Sequence, residues 1–125
     1  MTAGTMDGVP GDVCKLISAV VADDGTDLAI LQGLRKDKGI VQAFSHACLG
    51  SSITVEARTK RGRLPEPKMV RFVEIVVPES RASEVFEYVC SVARVDQAGH
   101  GVVWQAGSTF CTPYALPEDV PDEVS

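Results

Sequence analysis

The apolar and polar positions of the chain switch between the strand period and the helix period in a regular order. Residues 12–22 (DVCKLISAVVA) are rich in β-branched and apolar side chains and stop at Asp23, Asp24 and Gly25, which predicts a strand followed by a turn. Over residues 26–38, Leu28, Leu31 and Leu34 recur at helical spacing and Ile30 widens the stripe. Thr26 or Asp27 is available to cap that helix and Gly39 to close it. Residues 40–49 (IVQAFSHACL) alternate small and large side chains and read as a second strand. Residues 50–68 mix Ser, Gly, Pro and charge, with Lys60, Arg61 and Arg63 close together, as in a long exposed loop or protruding hairpin. Residues 69–77 (MVRFVEIVV) carry the strongest strand signal, and Pro78 ends it because its ring cannot continue a ladder. Ser80 can cap a helix over residues 80–94, where Ala82, Val85, Phe86, Val89 and Ala93 form one apolar stripe. A turn-rich connection over residues 95–101 leads into a last strand that starts at Val102, Val103 and Trp104 and runs toward Phe110.

The order strand, helix, strand, long loop, strand, helix, strand is the split βαβ arrangement called ferredoxin-like, an α+β sandwich. Its two helices cover one face of the sheet. Val, Ile and Phe positions remain for the other face, and a sheet apolar on both faces needs a second cover, most simply further copies of the same chain. The expected division is a flexible N-terminus over 1–11, one folded domain over 12–112, and an acidic tail over 113–125 containing Pro113, Pro117 and Pro121 beside Glu118, Asp119, Asp122 and Glu123.

Composition narrows the function. The 125 residues are 45% hydrophobic and 23% charged, which suits one globular core. A formal charge of -5, from 12 basic against 17 acidic residues, argues against broad phosphate neutralisation and so against a nucleic-acid partner. Residues 1–11 lack the basic and apolar regions of a secretory signal, and no apolar run approaches the roughly 20 residues that span a bilayer, so a cytoplasmic location is expected. Cys14, Cys48, Cys90 and Cys111 are widely spaced without a CxxC, which predicts ordinary reduced thiols. Cys111, read as the start of the tail, is the candidate for redox chemistry.

Two segments carry a family resemblance. FVEIVVPES, from Phe72, and RVDQAGHGVVWQ, from Arg94, resemble the third strand and the nucleotide loop of PII signal-transduction proteins, and the likeness extends over residues 15–105. It implies a homotrimer whose lateral clefts each bind an adenine nucleotide, and T-loops, here residues 50–68, that reach a membrane transporter or metabolic enzyme. The family's Gly-Asp-Gly-Lys loop corresponds to Gly99, His100, Gly101 and Val102. Both glycines remain, and glycine permits the close backbone approach that cradles phosphate oxygens. Val102 cannot replace a lysine, and no Lys or Arg follows Arg94, so the site is short of positive charge for a triphosphate. The resemblance therefore implies ADP, AMP or a cyclic nucleotide over Mg-ATP with 2-oxoglutarate. The loop lacks the tyrosine that other members nucleotidylylate, the only tyrosines being Tyr88 and Tyr114. That departure resembles divergent branches linked to carboxysomes and bicarbonate transport, with bicarbonate as a second candidate ligand.

Glu74 is the strand position that faces the nucleotide in the family, and Arg94 is a candidate phosphate contact. Each has a plainer reading: a strand glutamate in solvent, and a cation at a helix C-terminus. Lys60, Arg61 and Arg63 either touch phosphate or a partner, or form a solvated charge run. A trimeric metal-binding protein of the copper-tolerance type is the alternative, with His46 and Cys48 as ligands on one strand face. An enzyme is not expected, since no carboxylate pair, Ser and His set or activated Cys and His spacing stands out.

Overall fold

The computed structural model describes residues 4–50, 68–97 and 100–112. Lys60, Arg61, Arg63, Gly99 and the acidic tail lie outside the described residues. The elements are β1 (Gly4–Met6), β2 (Val9–Ala22), α1 (Thr26–Gly33), β3 (Ala43–Gly50), β4 (Lys68–Pro78), α2 (Ala82–Ala93) and β5 (Gly101–Cys111). Four of the strands form an antiparallel sheet in the order β3-β4-β2-β5, and β1 folds back onto the first residues of β2. This is an α+β architecture, compatible with a ferredoxin-like fold.

Strand alternation decides which side chains meet the helices. Ile17, Ala19 and Val21 of β2 and Val73, Ile75 and Val77 of β4 enter one core with Ile30, Leu34, Val85, Val89 and Ala93. Each such branched side chain, removed from water, contributes about 1.5–3 kcal/mol. The stripe expected on α2 is the buried one: Ala82, Val85, Val89 and Ala93 are all inside, with Phe86 packed at its margin.

Several expectations need correction. The segment 1–11, expected to be a flexible N-terminus, contains a hairpin: Met6 pairs with Val9 around a two-residue turn in which Asp7 and Gly8 both take positive φ, 52° and 81°. Those angles define the turn that matches strand twist in a tight hairpin, for which Asp-Gly is a favoured pair. The inward stripe of α1 is Asp27, Ile30 and Leu34, while Leu28 is exposed. The cap is neither Thr26 nor Asp27. Gly25 begins α1 in the left-handed region, and the Asp24 carboxylate accepts hydrogen bonds from the Thr26 N–H at 3.0 Å and the Thr26 hydroxyl at 2.6 Å. A π-helical turn over Leu34–Lys38 ends at Gly39, φ 66°, as expected of a closing glycine. Ser80 does not cap α2: it lies in a 3₁₀ turn, Glu79–Arg81, and no side chain caps the helix.

Gly33 has a packing reason. A Cβ there would collide with the Tyr88 hydroxyl, which lies across α1 and donates to Asp37 Oδ2 at 3.3 Å.

Candidate functional site

Three features meet at one end of the sheet. Val21 near the end of β2 pairs with Gly101 at the start of β5 and with Arg71 on β4, and Gly50 at the end of β3 pairs with Lys68 at the start of β4. The antiparallel order therefore brings the α2–β5 junction, the Asp23–Gly25 turn and both ends of the 51–67 connection to the same side. Within one chain β2 lies between the junction and the base of that connection, a separation of roughly 10 Å at ordinary strand spacing.

The junction is built on a non-glycine left-handed residue. Arg94 has φ 54° and ψ 49°. Its N–H donates to Ser91 O at 3.3 Å, and the Val95 N–H donates to Cys90 O at 3.3 Å. This is the doubly bonded helix ending usually made with glycine, which suffers no Cβ clash there. Arg94→Gly is accordingly expected to raise the unfolding free energy by about 1 kcal/mol, measured by urea denaturation; a loss of stability would show that the arginine side chain holds the junction together.

After Arg94 the chain turns through Gln97, whose N–H donates to Arg94 O at 3.0 Å, and His100, whose N–H donates to Gln97 O at 3.3 Å. Gly101 follows in close quarters: a Cβ there would stand 3.2 Å from Val20 O, 3.2 Å from Val21 Cγ1 and 3.6 Å from Ala93 O. Its lack of a side chain is thus a packing requirement of β2 and α2 in its own right.

The electrostatics of this end are mixed. Arg94 is exposed, as are Asp23, Asp24 and Asp96. Hydrogen bonds from the Thr26 hydroxyl and N–H hold the Asp24 carboxyl below the usual range, with the Arg94 charge adding to the effect. One guanidinium beside several carboxylates supplies too little positive charge for a triphosphate.

Arg94, His100 and Gly101 come together here. Glu74 does not join them in the same chain: it is exposed on the sheet face away from the helices, beside Ser18 and Phe44 in register. Two strands and three register positions place it roughly 14 Å from Gly101. Around it the open face is strongly aromatic. His46 packs on Phe72 with ring centroids 5.2 Å apart, and Trp104 meets Phe72 edge-on at 5.8 Å, reaching over β2. Phe44 and Trp104 are 60% and 41% exposed. Of the Val, Ile and Phe positions expected on this face, Phe44, Phe72 and Val102 are there, while Ile17 and Ile75 are in the helix-side core. His46 and Cys48 share the open face, but no group of three His, Cys, Asp or Glu side chains suited to a metal ion occurs among the described residues.

Cys111 is not in the tail. It is the last residue of β5, paired with Asp12.

Sequence reasoning missed an ion pair at the same end of the sheet. Asp27, 3% exposed, accepts hydrogen bonds at Oδ2 from Ser45 Oγ at 2.6 Å and from Arg71 Nε at 3.0 Å, tying the first turn of α1 to β3 and β4. Burial pushes the Asp27 carboxyl up, but the bonds from Ser45 and Arg71 prevail and hold it below the usual range. The signal was available: Arg71 shares strand parity with Val73, Ile75 and Val77, and a charge on the core-facing parity requires a partner.

No protein-family model matches this chain, and no curated protein sequence matches it. Among the described residues no helix is long and apolar enough to cross a membrane. The fold defines an α+β protein with one aromatic open face and, at one end of its sheet, a junction that holds Arg94, His100 and Gly101.

Proposed function

We propose that this chain is a PII-like regulatory protein: a homotrimer that binds an adenine nucleotide, ADP or AMP ahead of ATP, in clefts between subunits. In this reading residues 51–67 act on a membrane transporter or metabolic enzyme, and the nucleotide selects among their conformations. Inorganic-carbon or nitrogen metabolism is the proposed setting, with bicarbonate as a second candidate ligand.

The observation that carries the reading is the common placement of Arg94, His100, Gly101 and the base of the 51–67 connection at one end of the sheet. A ligand at that junction would lie within about 10 Å, two strand spacings, of the base of the connection it is proposed to control. The strained backbone at Arg94 adds support, since left-handed non-glycine residues concentrate where a side chain serves function. Glu74 would enter the site from a neighbouring subunit, because its own chain holds it too far from the junction. The low positive charge of the corner favours one or two phosphates over three.

Calorimetric titration with AMP, ADP, ATP and cyclic AMP, with and without bicarbonate, tests this. Saturable binding is expected, tightest for ADP or AMP. Arg94→Ala should weaken it by about 10- to 100-fold, the effect of one charge-assisted hydrogen bond. Absence of binding to all four nucleotides would remove the nucleotide-sensor reading and leave an adaptor that acts through residues 51–67 with another input. Gly101 is a poor control position because even a methyl group there crowds β2.

A further inference from the structure

At the end of the sheet opposite the junction, β2 and β5 bring together two cysteines distant in sequence. Asp12 pairs with Cys111, Val13 with Phe110 and Cys14 with Thr109, so Cys14 and Cys111 stand diagonally across the ladder on one face. Diagonal neighbours in an antiparallel pair are within side-chain reach. Cys14 is 5% exposed, and Cys111 is half-buried.

The surroundings give the two sulfurs different chemistry. Burial, together with the neighbouring Cys111 and Asp12, pushes the Cys14 thiol up to about 11. Asp12, directly opposite Cys111 in the ladder, has a buried Oδ1 with no hydrogen-bond partner among the described residues. A carboxylate in that position opposes thiolate formation nearby and loses nothing when the thiols become a neutral bridge. Cys48 and Cys90 have no such arrangement: Cys48 is on β3 and Cys90 on α2.

We propose that Cys14 and Cys111 form a redox-modification site, closed into an intrachain disulfide by a low-molecular-weight disulfide such as oxidised glutathione. Cys111, the more accessible thiol, gives its proton to solvent and attacks one glutathione sulfur. The glutathione S–S bond breaks, and the first glutathione leaves as a thiolate that takes up a proton. Cys14 then loses its proton and attacks the Cys111 sulfur of the mixed disulfide, expelling the second glutathione. Two protein thiols are oxidised by two electrons, and one glutathione disulfide becomes two glutathione thiols. The bridge fastens the last residue of β5 to β2. A thiol with a raised pKa is a poor leaving group, so the closed form resists reduction by weak thiols.

The test uses the full-length protein, first reduced and then incubated with oxidised glutathione, with free thiols counted by maleimide labelling and the bridge located by non-reducing peptide mapping. The expected result is loss of two of the four thiols, a peptide pair joining Cys14 to Cys111, and recovery of both thiols with dithiothreitol. A Cys48→Ser/Cys90→Ser variant should lose both of its remaining thiols in the same way. Cys14→Ser should stop with one glutathione on Cys111. The proposal is overturned if the wild-type map shows Cys111 only as a glutathione adduct, joined to another cysteine, or joined to a second chain. The wild-type map decides the matter even where a variant folds poorly.

Discussion

Arg71→Met is expected to lower the unfolding free energy by about 3–5 kcal/mol, the cost of leaving a buried charge without its partner. The carboxylate of Asp27 is 3% exposed and has the Arg71 guanidinium at 3.0 Å and the Ser45 hydroxyl at 2.6 Å as its side-chain partners. Removing the guanidinium leaves the hydroxyl to compensate a charge that water cannot reach. The reverse change is milder. Asp27→Asn leaves Arg71 with a side chain that is 27% exposed and can turn toward solvent. Replacing both, as Asp27→Leu with Arg71→Met, should recover most of the loss, because two apolar side chains avoid the desolvation altogether. Urea denaturation of the four proteins measures these differences; an Arg71→Met loss under about 1 kcal/mol, the ordinary effect of a point change, would reduce the ion pair to a surface contact.

Acid should close the gap between wild type and Arg71→Met. In the native protein the Asp27 carboxyl is held below its usual range despite its burial, because Ser45 and Arg71 stabilise the ionised form. A depressed native pKa contributes stability above the unfolded value of about 3.9 and loses it as pH falls through the native value. Without Arg71 the desolvation remains while one stabilising charge is lost, so that variant draws less stability from the ionised carboxyl at neutral pH. The two denaturation curves should therefore converge below about pH 4.

The second large effect concerns the open face of the sheet. Trp104→Glu together with Phe44→Glu is expected to convert the proposed trimer into a 13.3 kDa monomer, read by light scattering after size-exclusion chromatography. Phe44, Phe72, Val102 and Trp104 lie on the face the helices do not cover, and Val102 is 51% exposed. Contiguous apolar surface of this kind on a soluble domain marks an interaction surface. Two carboxylates placed in it would have to be buried without partners on assembly. Wild-type protein that elutes as a monomer at micromolar concentration would remove the trimer, and with it the intersubunit route by which Glu74 reaches a nucleotide. A trimer that survives both substitutions would place the subunit contact elsewhere on the molecule.

Local periodicity made much of the fold legible. The stripe Ala82, Val85, Val89 and Ala93 is one face of a helix, and the apolar run that ends at Pro78 is a strand with one face in the core, as their periods indicate. The Asp7-Gly8 turn carried its own signal, but the residues before it are Gly and Thr rather than alternating apolar side chains, so the hairpin lacked the flanks that would identify it. In α1 Leu31 and Leu34 do meet the core, but Leu28 is exposed, because the inward position nearest the N-terminus holds Asp27, an acid that belongs there only once Arg71 and Ser45 are beside it.

The candidate site divides in the same way. Arg94, His100 and Gly101 are close in sequence, so their meeting at one corner follows from the end of α2 and the turn after it. The separation of Glu74 from that corner follows from a strand order and a register that no local pattern contains. The sequence by itself determined which segments become strands and helices, because spacing along a chain is a one-dimensional property. Only the tertiary structure decided which distant side chains face one another. Asp27 meets Arg71, and Cys14 meets Cys111, because long-range strand pairing sets the register, and a shift of a single residue would send each of these strand side chains to the opposite face of the sheet.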